Sequence, residues 1–286
     1  MKLITYTTGS APQLGVLTDD QITPLGNSGI AADMLSLVQA GPAALEQVRA
    51  YVQSGTLPTL PLSSVRLLAP LANPPKLVAI GLNYLDHCRE QNVPVPTKPL
   101  VFTKFPSSII ATGQDIVWQA EMSQQVDYEA ELAVVIGQRA RFVSPEQALD
   151  CVFGYTIIND ISARDIQFGD GQWVRGKSLD TFCPMGPHIV TADEITDPQT
   201  LAIRCKVNEQ YLQDSNTKEM VFGVRQLIVE LSKSFTLEPG DIISTGTPHG
   251  VGVFRKPPVY LQNGDQVTVE IEKIGSLLNH CVVTSA

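Results

Sequence analysis

Hydrophobic and polar positions divide the chain into two stretches of different texture. Over the first 64 residues, short alternating runs at Lys2–Thr7 and Leu14–Leu17 predict strands separated by Gly- and Pro-containing turns. Apolar residues Met34, Leu35, Val38, Leu45 and Val48 then recur at helical spacing and predict one amphipathic helix near Ala31–Ser54. A proline-punctuated connector, Thr56–Leu62, follows. From Val65 onward strand-like runs dominate, at Leu77–Ile80, Leu132–Ile136, Tyr155–Ile158, His188–Val190, Ala202–Val207, Asp241–Ser244 and Gln266–Ile271. Pro239-Gly240-Asp241 and Asn263-Gly264-Asp265 supply turns between them. Helical spacing returns in a few places, most clearly at Pro145–Cys151 and Val224–Ser234. Strands and helices do not alternate regularly, which argues against a doubly wound parallel sheet. The expected fold is α+β and β-rich: a small α+β unit at 1–64, then a mixed β-roll or barrel-like domain at 65–286. There is no internal repeat and no low-complexity tract.

Composition narrows the functional classes. With 286 residues, 43% hydrophobic and 17% charged, the chain has the make-up of a globular protein with a sizeable core. Twenty basic side chains against 29 acidic ones give a net charge of −9, which repels phosphate backbones and disfavours nucleic acid as a partner. A site for anionic substrates in such a protein needs local positive charge, from a metal or from a few placed Lys and Arg. The cysteines, Cys88, Cys151, Cys183, Cys205 and Cys281, are odd in number and form no CxxC pair, as expected of free thiols in a reducing compartment. The opening MKLITYTTGS carries no apolar signal region, and no apolar run approaches the length of a membrane span. These features predict a cytoplasmic protein with no membrane partner.

The most informative segment is Gln125–Gly137. Along a strand, side chains alternate between faces, so Asp127, Glu129 and Glu131 are expected to share one. Burying even one uncompensated carboxylate is costly, and a hard divalent cation would relieve the repulsion. A second apolar strand, Gly154–Ile158, ends in Asn159-Asp160, placing another carboxylate at a strand end. All-oxygen ligation favours Mg²⁺, Mn²⁺ or Ca²⁺ over Zn²⁺. From the Glu-x-Glu run alone, a solvated acidic strand edge is the better account.

Longer motifs shift that balance. Gly81-Leu82-Asn83-Tyr84-Leu85-Asp86-His87-Cys88-Arg89-Glu90 resembles the GxNYxxHxxE segment of the fumarylacetoacetate hydrolase family. Glu129–Leu132, Asn159–Asp165, the Lys177-to-Pro187 element and Ser244–Gly252 resemble further family motifs and occur in family order. The length and Phe254–Pro258 resemble the longer branch, which has an extra N-terminal domain. The resemblance implies a mixed β-roll, a homodimer and a small 2-oxo or enol carboxylate as substrate. It implies that Glu129, Glu131 and Asp160 hold Mg²⁺ or Mn²⁺, with Ca²⁺ able to stand in within a crystal. It places His87 and Glu90 on a mobile lid and makes Gln167, Lys177 and Thr247 substrate contacts.

His87 and Glu90, three apart on a helical turn, are expected to act as a general base and its orienting carboxylate. Lys177 is expected to face a developing enolate. Trp173 is read as a wall of the site, and Arg164 and Asp165 as a structural ion pair. Asp127 is left outside the metal set, and His188, His249 and His280 are given packing or surface roles. The preferred reaction is C–C bond hydrolysis of an acylpyruvate or fumarylpyruvate. The alternatives are oxaloacetate tautomerase or decarboxylase, 2-hydroxyhepta-2,4-diene-1,7-dioate isomerase, and a non-catalytic metal-binding scaffold or ligand sensor.

Overall fold

The computed structural model describes residues 1–9, 11–55 and 57–285. Thr56, where the connector begins, and the last residue of the 65–286 segment lie outside the described residues. The first strands, β1 (Lys2–Thr7), β2 (Gln13–Thr18) and β3 (Gln21–Pro24), form an antiparallel meander. The single helix expected at 31–54 is two: α1 (Met34–Ala40) and α2 (Pro42–Gln53). Gly41, at φ 74°, breaks the first, and Pro42 starts the second at a position where its missing N–H costs nothing. Short strands β4 (Leu60–Pro61) and β5 (Arg66–Leu68) return the chain to β3 and β1.

The remaining elements follow in order. β6 (Leu77–Gly81) runs into helix α3 (Leu85–Gln91), then β7 (Leu100–Thr103), β8 (Ile109–Ile110) and β9 (Asp115–Gln119). β10 (Val126–Asp127), β11 (Ala130–Ile136), β12 (Val152–Asn159) and β13 (Ser162–Ala163) lead into helices α4 (Arg164–Asp170) and α5 (Val174–Lys177). β14 (Cys183–Thr191), β15 (Ala202–Val207), β16 (Gln210–Asn216), α6 (Val224–Ser234), β17 (Ile242–Ser244), β18 (Gln266–Ile271) and β19 (Gly275–Thr284) complete the chain. The helix expected at Pro145–Cys151 is a series of turns ending in one 3₁₀ turn, Leu149–Cys151. The Cys151 carbonyl instead accepts from Gly137 N at 2.7 Å, which turns the chain at once into β12.

One long mixed sheet runs β4-β3-β2-β1-β14-β12-β11-β17-β6-β7, with β5 on β1 and β8 on β14. β1 pairs with β14 through Lys2↔Val190 and Leu3↔Ile189, so the N-terminal strands extend the central sheet. A second sheet runs β16-β15-β18-β19-β9. Neither sheet closes on itself among the described residues, so the architecture is strand-rich α+β, without the expected barrel-like closure.

The two faces of β11 sort by alternation. Leu132, Val134 and Ile136 enter the core shared with Ile203, Val269 and Leu277 of the second sheet. Ala133 and Val135 face Leu37, Val38 and Val48 of α1 and α2. Glu131 lies on that second face, beyond the end of the helical cover. All five cysteines are free and buried, and no described helix is long and apolar enough to cross a membrane.

Candidate functional site: a buried carboxylate cluster under a short helix

β11 and β12 pair with Glu131 opposite Ile158 and Ala130 opposite Asn159. The backbone N–H of Asp160 donates to the Glu129 carbonyl at 2.9 Å. This register brings Glu129, Glu131 and Asp160 together: each offers a carboxylate oxygen, all within 4.8 Å of one another, and all three are buried. Asp127 does not join them. The extended run breaks at Tyr128-Glu129, and Asp127 instead accepts from Gly252 N at 2.7 Å, Val253 N at 3.0 Å and Arg164 Nε at 2.9 Å.

Three buried cations face the acids. Lys177 Nζ lies 2.9 Å from Glu129 Oε2 and 2.7 Å from Asp160 Oδ2, and donates to Ser162 Oγ at 2.8 Å. Lys104 Nζ lies 2.6 Å from Asp160 Oδ1 and also donates to the carbonyls of Ile161 and Lys177. Arg164 bridges Asp127 Oδ2 at 2.8 Å and Glu129 Oε1 at 2.6 Å, and donates to Gln167 Oε1 at 3.0 Å. The expected Arg164–Asp165 pair is therefore absent. Asp165 accepts from Ser123 Oγ at 2.7 Å, while Arg164 reaches inward to acids 37 and 35 residues earlier. Sequence reasoning gave no role to Lys104. A lysine one residue past the strand Leu100–Thr103, in the run Leu100-Val101-Phe102-Thr103-Lys104-Phe105, was the available signal.

Four buried acids, Asp127, Glu129, Glu131 and Asp160, thus meet three cations, Lys104, Arg164 and Lys177, leaving one negative charge in excess. The excess falls on Glu131, whose partners are neutral: Ser244 Oγ and, at 3.1 Å, the N–H of Gly246. Burial raises its pKa well above the usual carboxylate value, and repulsion from Asp160 and Glu129 raises it further. For Glu129 burial also pushes upward, but Lys177 and Arg164 outweigh it and hold the carboxyl down at about 2. Burial disfavours the Lys177 ammonium, yet Asp160 and Glu129 more than compensate, and its pKa is raised. One surplus buried carboxylate in a set of hard oxygen donors fits a divalent cation of the Mg²⁺ or Mn²⁺ type.

Gly246, at φ 93°, lets its loop approach β6 closely: a side chain there would lie 2.8 Å from the Ile80 carbonyl oxygen. Asn83 ties the same loop down by donating to the Thr245 carbonyl at 2.8 Å.

Helix α3 covers the cluster. His87 Nδ1 lies 2.9 Å from Glu90 Oε2, and His87 Nε2 lies 2.7 Å from Gln91 Nε2. An amide NH₂ can only donate, so Nε2 is the acceptor and the ring proton sits on Nδ1, toward Glu90. Glu90 also accepts from Gly250 N at 2.8 Å, and Asp86 from Ser215 Oγ at 2.5 Å and His249 N at 3.3 Å. Two carboxylates therefore latch the helix to the loop after β17.

Beneath α3, a cavity of about 60 Å³ is lined by His87, Gln91, Glu129, Glu131, Arg164, Gln167, Lys177 and Thr247, with Phe102, Phe168, Trp173 and Phe254 as apolar walls. Of the sequence-predicted site residues, His87, Glu129, Glu131, Gln167, Lys177 and Thr247 line it directly. Asp160 and Glu90 stand behind them as partners of Lys177 and His87. Larger surface grooves lie elsewhere, but none contains this chemistry.

Comparison with known proteins agrees with this geometry. The family profile described as Fumarylacetoacetate (FAA) hydrolase C-terminal matches residues 76–282. Oxaloacetate tautomerase FAHD2A, mitochondrial, of Bos taurus is 50% identical over 251 residues, which is 87% of this chain and 79% of that protein. Its Homo sapiens counterpart, also named mitochondrial, is 47% identical over the same length. These relatives overturn the expected cytoplasmic location, which rested on the absence of a recognisable signal in the first ten residues. Among solved structures, the fumarylacetoacetate hydrolase of psychrophilic Exiguobacterium antarcticum superposes with TM-score 0.89 at 40% identity, covering 99% of this chain and 100% of that one. Maleylpyruvate hydrolase from Sphingobium sp. SYK-6, in complex with manganese (II) and pyruvate, superposes with TM-score 0.83 at 32% identity over the whole of both chains. The chain therefore belongs to the fumarylacetoacetate hydrolase family of enzymes.

Proposed function

We propose that this enzyme interconverts the keto and enol forms of a small 2-oxo dicarboxylate, with oxaloacetate as substrate and Mg²⁺ or Mn²⁺ as cofactor. The observation that carries the reading is His87 in a small cation-lined cavity, with its Nδ1–H on Glu90 and its Nε2 on the Gln91 amide, which must give way for the ring to take a proton. The names of the relatives support it. Acylpyruvate hydrolysis, preferred from sequence, would use the same residues and is supported less well, because the relatives named for an activity on oxaloacetate share about half of their residues with this chain.

Glu129, Glu131 and Asp160 would hold the cation. When bound, it withdraws electron density from the 2-oxo group and so acidifies C3. The chain's own residues do the rest. Once the Gln91 amide releases it, His87 Nε2 carries the proton between C3 and the 2-oxygen, and the Nδ1–H contact with Glu90 stabilises the imidazolium formed on the way. The Lys177 ammonium stands beside the carboxylates, placed to meet negative charge developing on the enolate oxygen. Arg164 engages Gln167 through its carbonyl oxygen, which leaves the Gln167 NH₂ free to donate to a substrate carboxylate. Thr247 Oγ accepts from Gln213 Nε2 at 2.8 Å, so its own proton is available for the same purpose. A homodimer is part of this reading and rests on the family alone; a monomer in sedimentation would remove it.

The test follows enol-oxaloacetate loss with and without Mg²⁺ or Mn²⁺, with pyruvate release measured separately. His87→Ala should lower the enzymatic rate by about 10²–10⁴-fold and leave the melting temperature unchanged. Enol loss no faster than with metal alone refutes the proposal, and faster cleavage of acetylpyruvate restores hydrolysis.

A further inference from the structure

We infer that Trp173 sets the length of substrate the site accepts, acting as a stop that admits a four-carbon 2-oxo dicarboxylate and rejects its longer homologues. The inference rests on the reading of this cavity as a 2-oxo dicarboxylate site. Trp173 immediately precedes α5, and its carbonyl accepts from the Lys177 N–H at 3.1 Å, so indole and ammonium ride on one turn of backbone.

The indole rests on one face of the β6–β7 pair. Phe102 meets it edge-on, with ring centroids 5.5 Å apart at 72°. The bare backbone of Gly81, at the end of β6, lies against its six-membered ring: a β-carbon at Gly81 would stand 2.3 Å from Trp173 Cζ3 and 2.9 Å from Cη2. The ring therefore occupies the space a side chain at residue 81 would fill, and it cannot retreat in that direction. Phe102 is pinned in turn, with the Lys177 ammonium 5.2 Å above its centroid.

The carboxylate floor and His87 hold the reacting end of the substrate, so each added methylene must extend toward the apolar walls. Of these, Phe168 is 53% exposed and can swing outward, whereas the indole has the backbone of Gly81 directly behind it. The indole is a wall of the cavity that holds Glu129, Glu131 and Lys177, so a chain lengthened toward it meets a ring with backbone behind it. Such a pocket discriminates by about 10-fold or more per methylene.

The experiment titrates metal-loaded wild type, Trp173→Phe and Trp173→Leu with oxaloacetate, 2-oxoglutarate and 2-oxoadipate by calorimetry. Wild-type affinity should fall by about 10-fold or more with each added methylene. The fall should be shallower in Trp173→Phe and shallowest in Trp173→Leu. Wild type that binds 2-oxoadipate as tightly as oxaloacetate overturns the inference, as does an equally steep fall in a variant with a wild-type melt. Trp173→Phe keeps an aromatic ring on Gly81 and serves if the leucine variant does not fold. Because calorimetry reads binding without turnover, a wild type that binds these acids but does not tautomerise oxaloacetate refutes only the proposed reaction. Failure to bind any of the three overturns both.

Discussion

One face of β11 and β12 carries two regions that are equally buried and differently built. At one end Ala133 and Val135 pack under Leu37, Val38 and Val48. At the other, Glu129, Glu131 and Asp160 meet Lys104, Lys177 and Arg164. The apolar end gains by removing surface from water, and that gain depends little on ions or pH. The charged end starts with a desolvation cost of several kcal/mol per ion and recovers it only through close pairing. Stability at the first end is thus a property of the fold, and at the second it is conditional on charge balance. The conditional end is the one that can bind.

Lys177→Met breaks the comparison hardest. It leaves Glu129 and Asp160 buried without their shared ammonium, and removing one partner of a buried pair costs about 3–5 kcal/mol. Turnover should fall by about 10²–10³-fold through loss of the charge facing the enolate. Adding Mn²⁺ should restore much of the stability and little of the turnover, as read by urea melts and enol loss on the same sample. An equal stability deficit with and without metal would show that charge balance is not what the cluster needs.

Leu37→Ala probes the apolar end. The side chain is fully buried, and truncation should cost about 2–5 kcal/mol. This loss should be the same with or without Mn²⁺, with activity per folded molecule unchanged. A metal-dependent loss would mean that the two ends are one unit.

His188 is the counter-example that sharpens the contrast: a buried titratable group with no anionic partner. Burial lowers its pKa from 6.5 to about 4, and the nearby Lys2 ammonium pushes the same way. The unfolded chain therefore binds the extra proton between these values. The contribution is complete above about pH 6.5 and is lost as pH falls toward 4, about 3 kcal/mol over the whole window. Urea melts across that range should show a shallower acid dependence in His188→Gln than in wild type; identical slopes would place the sensitivity elsewhere.

What the sequence disclosed follows the range of the physics involved. Glu131 and Asp160 were legible because strand alternation and a strand end are local properties, and β11 and β12 carry unbroken apolar runs; Glu129 sits in the break before β11 and is held beside them by the Asp160 N–H on its carbonyl. The break at Gly41-Pro42 was equally local, but the helical recurrence of Met34, Val38 and Val48 on either side of it concealed it. Arg164 was assigned to its chain neighbour because its partners, Asp127 and Glu129, are fixed only when β10 pairs with β13. Lys104 reaches Asp160 across 56 residues, a contact no pattern of spacing announces. The parallel pairing of β19 with β9, His280 opposite Asp115, was hidden for the same reason.

Glu131→Gln gives the smallest effect and the most discriminating one, because the two regions predict opposite signs. Burial, Asp160 and Glu129 all raise the Glu131 pKa, so the folded metal-free chain favours a neutral group there. Stability from this acid is complete below its unfolded value and declines as pH rises through the folded one. A neutral isostere removes that decline, so Glu131→Gln should melt a few degrees higher than wild type at neutral pH without metal. The amide keeps the shape but gives up the charge that would hold a cation, so metal affinity should fall by at least the roughly 10–100-fold seen when a ligand's supporting partner is removed. A carboxylate that lowers stability alone and raises it with metal exchanges stability for function at a single position. Scanning calorimetry of both proteins at neutral pH, with and without Mn²⁺, decides it. If the variant melts lower than wild type in the absence of metal, Glu131 is compensated in the fold itself, and the surplus charge lies on another member of the cluster.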